Sequence, residues 1–438
     1  MESKRKKNKD YLDILLKISF WVYVFTLFTL SFPRKLSLYT MGFLLFLGFG
    51  YWVLTFRKII KEFLRSKNLV LPPVIFFILQ LINVFLRKEH ITSIEKQLMF
   101  ICVPILTFSL LQSDLICKRK EFLFKTYMYG IISVTLLLIV IALTCLYKNY
   151  NFGKNLLENF KTNFKCFFTV DFSRFEHPTY LGMKISWTFI LLWQLFARSF
   201  KKLINILIII LLTIVIFLLA SKGSIILWTV LILCFLFSFI NEKISNKIYK
   251  YSTIILISFI LFAGSFSVAK EIVRINQFLS QIKTGLTRTE VNWKDLDQRT
   301  REWYCALQLI KEKPIFGHGI GRVEDRMVEE YLKNRWEEEA RLRYNAHNQF
   351  LETQMTFGIP GTLSLLWMLF TPLIFRKRLM YPKLATAFVF MMTFFLMFES
   401  MFVRQWGIMF FTLFYCILVF PSKEENNIPV NHTELKNY

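Results

Sequence analysis

The chain has 438 residues, of which 55% are hydrophobic and 17% aromatic, with Phe alone supplying 49, and its mean hydropathy is +0.44. The apolar residues come in long blocks, whereas a soluble domain interrupts them every few positions, so the composition excludes a soluble enzyme. The net charge of +25 does not mark a nucleic-acid binder either, because most Lys and Arg sit in short clusters between apolar blocks, where they act as topology signals.

A membrane-spanning helix needs ~20 mostly apolar residues. In chain order the segments that meet or approach this are 12–32, 36–56, 69–86, 97–112, 122–147, 178–197, 203–220, 223–240, 251–269, 358–375, 383–399 and 404–420. The fourth is the shortest and contains Pro104. The first follows Lys4, Arg5, Lys6 and Lys7 like a signal peptide, but its apolar stretch is too long for an h-region and no small-residue cleavage site follows, so it reads as an uncleaved span. The fold expected is an all-α polytopic membrane protein of about twelve transmembrane helices with one large periplasmic loop. It divides into nine spans over 1–269 with an outer loop at 148–177, the large loop 270–346, an outer-face helix and three spans over 347–420, and a tail 421–438.

With the N-terminus inside, the short inner segments carry 26 Lys and Arg and the short outer ones carry 7. Long loops are left out because they translocate largely regardless of charge. Both termini are therefore expected in the cytoplasm and both long loops outside, in the periplasm if this is a bacterial inner membrane. Of the seven cysteines, most fall in or next to apolar blocks, while Cys166 and Cys305 lie in the two outer loops and leave a disulfide between them open.

Chemistry has three places to sit. Loop 270–346 holds 15 Lys/Arg and 13 Asp/Glu and is large enough to fold outside the bilayer. Trp293, Trp303, Tyr304, Trp336 and Tyr344 offer it interfacial anchors. Apolar residues at helical spacing predict a helix over 297–313, with Arg299 one turn before Trp303, ended by Pro314 and Gly317. The run Gly317-His318-Gly319-Ile320-Gly321 reads either as a phosphate-cradling loop or as a tight turn; the turn is favoured, since no strand precedes it and no P-loop Lys-Ser/Thr follows. Asp295-Leu296-Asp297 is too short to carry a metal-binding reading.

His347 and Asn348 come next, at the outer end of a helix that Gly358-Ile359-Pro360-Gly361 breaks. A neutral imidazole there can accept a proton, although a helix-end His is more often solvated or capping. Third, Ser221-Lys222-Gly223-Ser224 makes a very short outer turn, where Lys222 either snorkels or meets an anionic headgroup. Arg174, His177, Glu399 and Arg404 add ionisable groups at the same depth, and Lys184 inside the sixth span must face protein or water.

The ordered pattern Arg299-x3-Trp303-x2-Ala306-x3-Ile310-x3-Pro314-x2-Gly317-x-Gly319-x-Gly321, then His347-Asn348-x2-Leu351 and Gly358-x2-Gly361, resembles the O-antigen ligase and polymerase superfamily. The family's shared region covers roughly 200–375 here, and the span layout extends the resemblance over the chain. It implies a metal-independent, inverting glycosyltransferase of the C type that needs no cofactor. The donor implied is a glycan on undecaprenyl diphosphate, and for ligases the acceptor is a hydroxyl of the lipid A core; no nucleic acid is involved. Polymerase, protein O-glycosylation and, from another class, a polysaccharide transporter or flippase stand as alternatives. The family's key Arg after the seventh span, loop Arg and HN-motif His fall on Lys222, Arg299 and His347. Lys222 departs from the usual Arg and loses its bidentate fork. Arg301 is a second candidate guanidinium, with Asn348, Ser221, Arg174, His177, Glu399 and Arg404 in support.

Overall fold

The computed structural model describes residues 2–151, 158, 162–196, 202–243 and 298–420, and every regular element among them is helical. The main helices are α1 (Glu2–Thr29), α2 (Arg34–Leu86), α3 (Met99–Leu111), α4 (Lys120–Lys148), α5 (Pro178–Leu191), α6 (Lys202–Leu219) and α7 (Lys222–Lys243). They continue with α8 (Gln298–Glu312), α9 (Val323–Lys333), α10 (Glu337–Leu342), α11 (Gln349–Ile374), α12 (Pro382–Phe398) and α13 (Gln405–Val419). Among the described residues six stretches are long and apolar enough to cross a membrane: Asp10–Thr29, Arg34–Phe56, Ser66–Leu86, Ile94–Leu111, Lys120–Lys148 and Gln349–Ile374. Four shorter apolar helices join them, Leu203–Leu219, Lys222–Ser238, Pro382–Phe398 and Gln405–Val419. The expected span 251–269, the loop up to residue 297 with Trp293 and Asp295–Asp297, and the tail 421–438 lie outside the described residues.

Two of the expected spans belong to one helical run, α2. A straight helix of 53 residues would be about 80 Å long. Yet a Cβ on Gly48 would lie 2.7 Å from the Leu106 carbonyl oxygen, while Phe63 packs edge-to-face on Phe108 and Phe76 on Phe100. All three partners belong to the 13-residue α3, so α2 doubles back on itself, and the basic stretch 57–67 falls between its two halves.

The ends that charge counting assigned to one side do lie together. Arg34 donates to Gln405 at 3.4 Å, Gln97 to the Phe402 carbonyl at 2.8 Å and Arg87 to that of Phe316 at 3.0 Å. At the opposite end Lys120 donates to the Phe420 carbonyl at 2.6 Å. Between the two ends α5 is buried along its whole length and continues as a π-helical turn, Leu192–Phe196. Trp187 packs on Phe388 and Phe414. Lys184 is fully buried, bonded to Glu176 at 2.7 Å and to the Leu30 carbonyl at 2.8 Å, with Trp406 facing its ammonium.

The loop helices α8, α9 and α10 form their own core around Cys305, Leu309, Met327, Tyr331, Trp336 and Ala340. Trp336 is therefore spent inside this core, edge-on to Tyr304, rather than standing free as an interfacial anchor. The open pairing of Cys166 with Cys305 is corrected here. Cys166 is joined to Cys145, at a Cα–Cα distance of 5.9 Å, while Cys305 is a free buried thiol. The end of α4 and the 163–166 turn are brought together by Asn163, which donates to the Asn149 carbonyl; Cys305 sits in the separate core of the loop.

Candidate active site

The glycine run is a turn, and its role is to clamp a kink. Gly317 and Gly319 have φ of +60° and +93°, and Gly358 in α11 has φ +69°. The backbone N–H groups of His318 and Gly319 donate to the carbonyls of Met355 and Thr356, and Ile359 donates back to Pro314 and Ile315. A Cβ at Gly358 would fall 2.0 Å from the Ile315 oxygen and one at Gly317 2.4 Å from Thr356 backbone atoms. Only glycine permits both the left-handed backbone and this approach. The clamp fixes the first turns of α11, and with them the chain that enters it.

That entry is the His347 loop. Asn348 is the N-cap of α11, its Oδ1 accepting from the N–H groups of Phe350 and Leu351 at 2.9 and 3.1 Å. Its own N–H donates to Ser400 Oγ at 3.2 Å. The N–H of Ala346 donates to Glu352 at 3.1 Å and that of His347 to Asn345 Oδ1 at 2.9 Å. These bonds hold His347 at φ +43°, a left-handed conformation that costs a non-glycine residue about 1–2 kcal/mol.

The strained backbone aims the imidazole between two carboxylates. Nδ1 lies 3.1 Å from Glu399 Oε1, and Nε2 lies 3.9 Å from Glu302 Oε1. The His347 side chain is 22% exposed, against 7% for Glu399 and none for Glu302. Burial pulls the imidazole down, but the hydrogen bond and charge of Glu399, with the charge of Glu302, outweigh it and the group titrates above its ordinary value. Burial raises Glu399 too, yet His347 more than reverses that and holds it below the usual carboxylate range. An ionised Glu399 accepts a hydrogen bond from Nδ1–H, which fixes the tautomer that leaves the Nε2 lone pair as the base. Glu302, desolvated above all, is pushed up to about 7; its Oε1 accepts from Gln298 at 2.8 Å and its Oε2 has no partner among the described residues.

Two cations come from two helices, α8 and α7. Arg299 in α8 is exposed and donates to the His347 carbonyl at 3.4 Å and to the Phe398 carbonyl at the end of α12. Lys222 opens α7 and is exposed; a Cβ on its neighbour Gly223 would lie 3.9 Å from Phe398. Ser221 links Thr179 at 3.2 Å and Ser224 at 3.0 Å, so the starts of α5 and α7 are tied. His177 caps α5, accepting from the Thr179 N–H at 3.4 Å. Burial pulls its imidazole down, and the charges of Glu399, His347, Arg404 and Arg299 all act on it.

Two expected residues go elsewhere. Arg301 pairs with Glu339 at 2.9 Å and covers the Trp336 ring, in the loop core. Arg174 donates to the Asp171 carbonyl on its own turn at 3.2 Å. Sequence reasoning missed Glu302, Glu352 and Ser400. Glu302 had a signal, since it lies three residues after Arg299 and so on the same side of α8. The arrangement offers one base on a fixed imidazole beside exposed cations, at one end of a helical bundle.

Residues 207–366 match the family model described as O-Antigen ligase, which supports a likeness to the O-antigen ligase superfamily over that stretch. An uncharacterized protein of Haemophilus influenzae is 32% identical over 158 residues. That similarity covers 35% of this chain and 38% of the relative, so the chain spans well under half of the relative's length.

Proposed function

We propose that this protein is a membrane glycosyltransferase of the ligase kind. It moves a glycan from undecaprenyl diphosphate to a hydroxyl of the lipid A core at the periplasmic face of the inner membrane. The observation that carries the reading is His347, with Glu399 on Nδ1 and its Nε2 left as a base, in the same cluster as Arg299. In this mechanism Nε2 takes the proton of the acceptor hydroxyl while its oxygen attacks the anomeric carbon from the face opposite the diphosphate. The carbon–oxygen bond to the diphosphate breaks and the anomeric centre inverts. The leaving group departs with the bonding electrons, and Arg299 and Lys222 stabilise its charge by charge-assisted hydrogen bonds. No metal has a step in this scheme.

The test is a gel profile of surface glycolipid and carrier-linked glycan in a deletion strain. The expected result is a core without attached glycan, and full-length polymer accumulating on the carrier. Cores capped by single repeat units, without long chains, would make the protein a polymerase instead. An unchanged glycolipid profile would sink the lipid A core as acceptor.

A further inference from the structure

A recess of about 530 Å³ lies on the other side of the His347 loop, walled by the outer half of α2, the turn Ile91–Leu98, α9 and the first turns of α11. Its size is that of a small-molecule site, and the scheme above makes no use of it. Two wall residues, Gln80 and Gln97, are 1% and 7% exposed, and each has a carboxamide oxygen without a hydrogen-bond partner among the described residues. The Gln97 nitrogen is already spent on the Phe402 carbonyl, so what remains on that amide is an acceptor. Two cations, Lys96 and Arg404, stand on the same wall, both exposed and neither bonded to a carboxylate among the described residues. Phe76 and Tyr344 add aromatic side chains.

The recess also adjoins the candidate site at two points. Asn345 lines it and accepts the His347 N–H at 2.9 Å. Arg404 lines it too, and its charge acts on His177 beside Glu399.

We infer that this recess binds a saccharide, placing its sugar rings beside the His347 loop while the reacting end lies at the imidazole. Buried carbonyl acceptors call for O–H donors. Aromatic side chains accept the C–H face of a pyranose, and the two cations suit ring hydroxyls or an acidic substituent. A lipid tail would leave these polar groups unmet. The inference rests on the glycan-transfer reading. Two sources share this chemistry, the glycan of the donor and the core saccharide of the acceptor, and the experiment separates them.

Purified full-length protein in nanodiscs would be titrated calorimetrically with two probes, delipidated core oligosaccharide and a short-prenyl diphosphate carrying one repeat unit. Wild type, Gln80→Leu and Lys96→Gln would be compared, and KM for donor and acceptor measured alongside kcat. Loss of one hydrogen bond is expected to weaken one probe about five-fold and to raise the matching KM, with kcat nearly unchanged. Weakening confined to the core probe assigns the recess to the acceptor, and weakening confined to the prenyl probe assigns it to the donor. If both variants bind both probes like wild type, or if only kcat changes, the recess is a water-filled space and the inference is wrong. Lys96 is exposed, so its variant keeps the test open if Gln80→Leu does not fold. Binding needs no turnover, so an intact binding effect alongside a failed transfer assay would overturn the catalytic reading and leave the recess standing.

Discussion

Lys184 and Arg299 are both cations held where helices meet, and the protein treats them in opposite ways. Lys184 is fully buried and its ammonium is consumed by Glu176, the Leu30 carbonyl and the face of Trp406. Arg299 is exposed and donates to two carbonyls, those of His347 and Phe398. The same contrast holds for the acids. Glu176 serves Lys184, whereas Glu399 fixes an imidazole whose second nitrogen is left open. A charge in a membrane protein is costly, so its role is read from what remains unspent after the protein has solvated it.

Substitution should separate the two kinds of charge sharply. Replacing His347 by Ala removes the base and is expected to lower transfer by about 10²–10⁴-fold, with the amount of protein in the membrane unchanged on a quantitative immunoblot. Near-normal transfer by this variant would end the base assignment. Lys184→Ala should do the reverse, because it strands a buried carboxylate at a cost of about 3–5 kcal/mol. The expected outcome is little folded protein, read by thermal unfolding in detergent, with normal turnover per folded molecule. If Lys184→Ala folds normally but does not turn over, Lys184 belongs with Arg299 rather than opposite it.

Arg299 tests the open side at intermediate size. Arg299→Ala is expected to cost about 10²–10³-fold, the usual loss for one donor to developing charge, and Arg299→Lys to recover part of it because charge survives and the fork does not. Equal losses in both variants would shift its role from charge to the geometry of the His347 loop.

Glu302 sharpens the comparison through pH. His347 acts as a base only when neutral, so transfer falls as pH drops through its raised value. The groups facing it are Glu399, Glu302, Arg299 and His177, with Glu352 bonded to the neighbouring Ala346 N–H. Tyr331, Cys305 and Glu399 act on, or are acted on by, Glu302 itself. The Glu302 carboxylate favours the imidazolium, so Glu302→Gln should move the acid limb of the kcat profile to lower pH. An unmoved limb would show that Glu302 stays protonated throughout and exerts no charge on the ring.

Much of this could be read from the sequence, for reasons that differ by element. The span segments that the structure describes were legible because a run of ~20 apolar residues has few uses other than crossing a bilayer. The helix Gln298–Glu312 followed from spacing, and the turn at Gly317–Gly319 from its glycines. The partners were hidden. That Gly358 is the kink the turn clamps, and that Cys145 rather than Cys305 meets Cys166, depends on close approaches that spacing along the chain does not encode. Glu302 reaches an imidazole 45 residues away in the chain, and Arg301, two residues from the site's own Arg299, turns to the other side of the same helix. Residue type announced the chemistry, and only packing said which copy of each type performs it.

Lys222 carries the smallest expected effect and tests the rule most finely. It stands at the first position of α7 and is exposed. An ammonium is a point charge, whereas a guanidinium grips two phosphate oxygens at once. If Lys222 holds the diphosphate, Lys222→Arg should lower KM for the carrier-linked donor a few-fold and leave kcat nearly unchanged, because the added hydrogen bond is present in ground state and transition state alike. Lys222→Met should raise the same KM and lower kcat, because the departing diphosphate loses a stabilising charge, without touching KM for the acceptor. A pair of variants that alters neither constant would make Lys222 a residue that marks the membrane boundary, spent on topology as Lys184 is spent on packing.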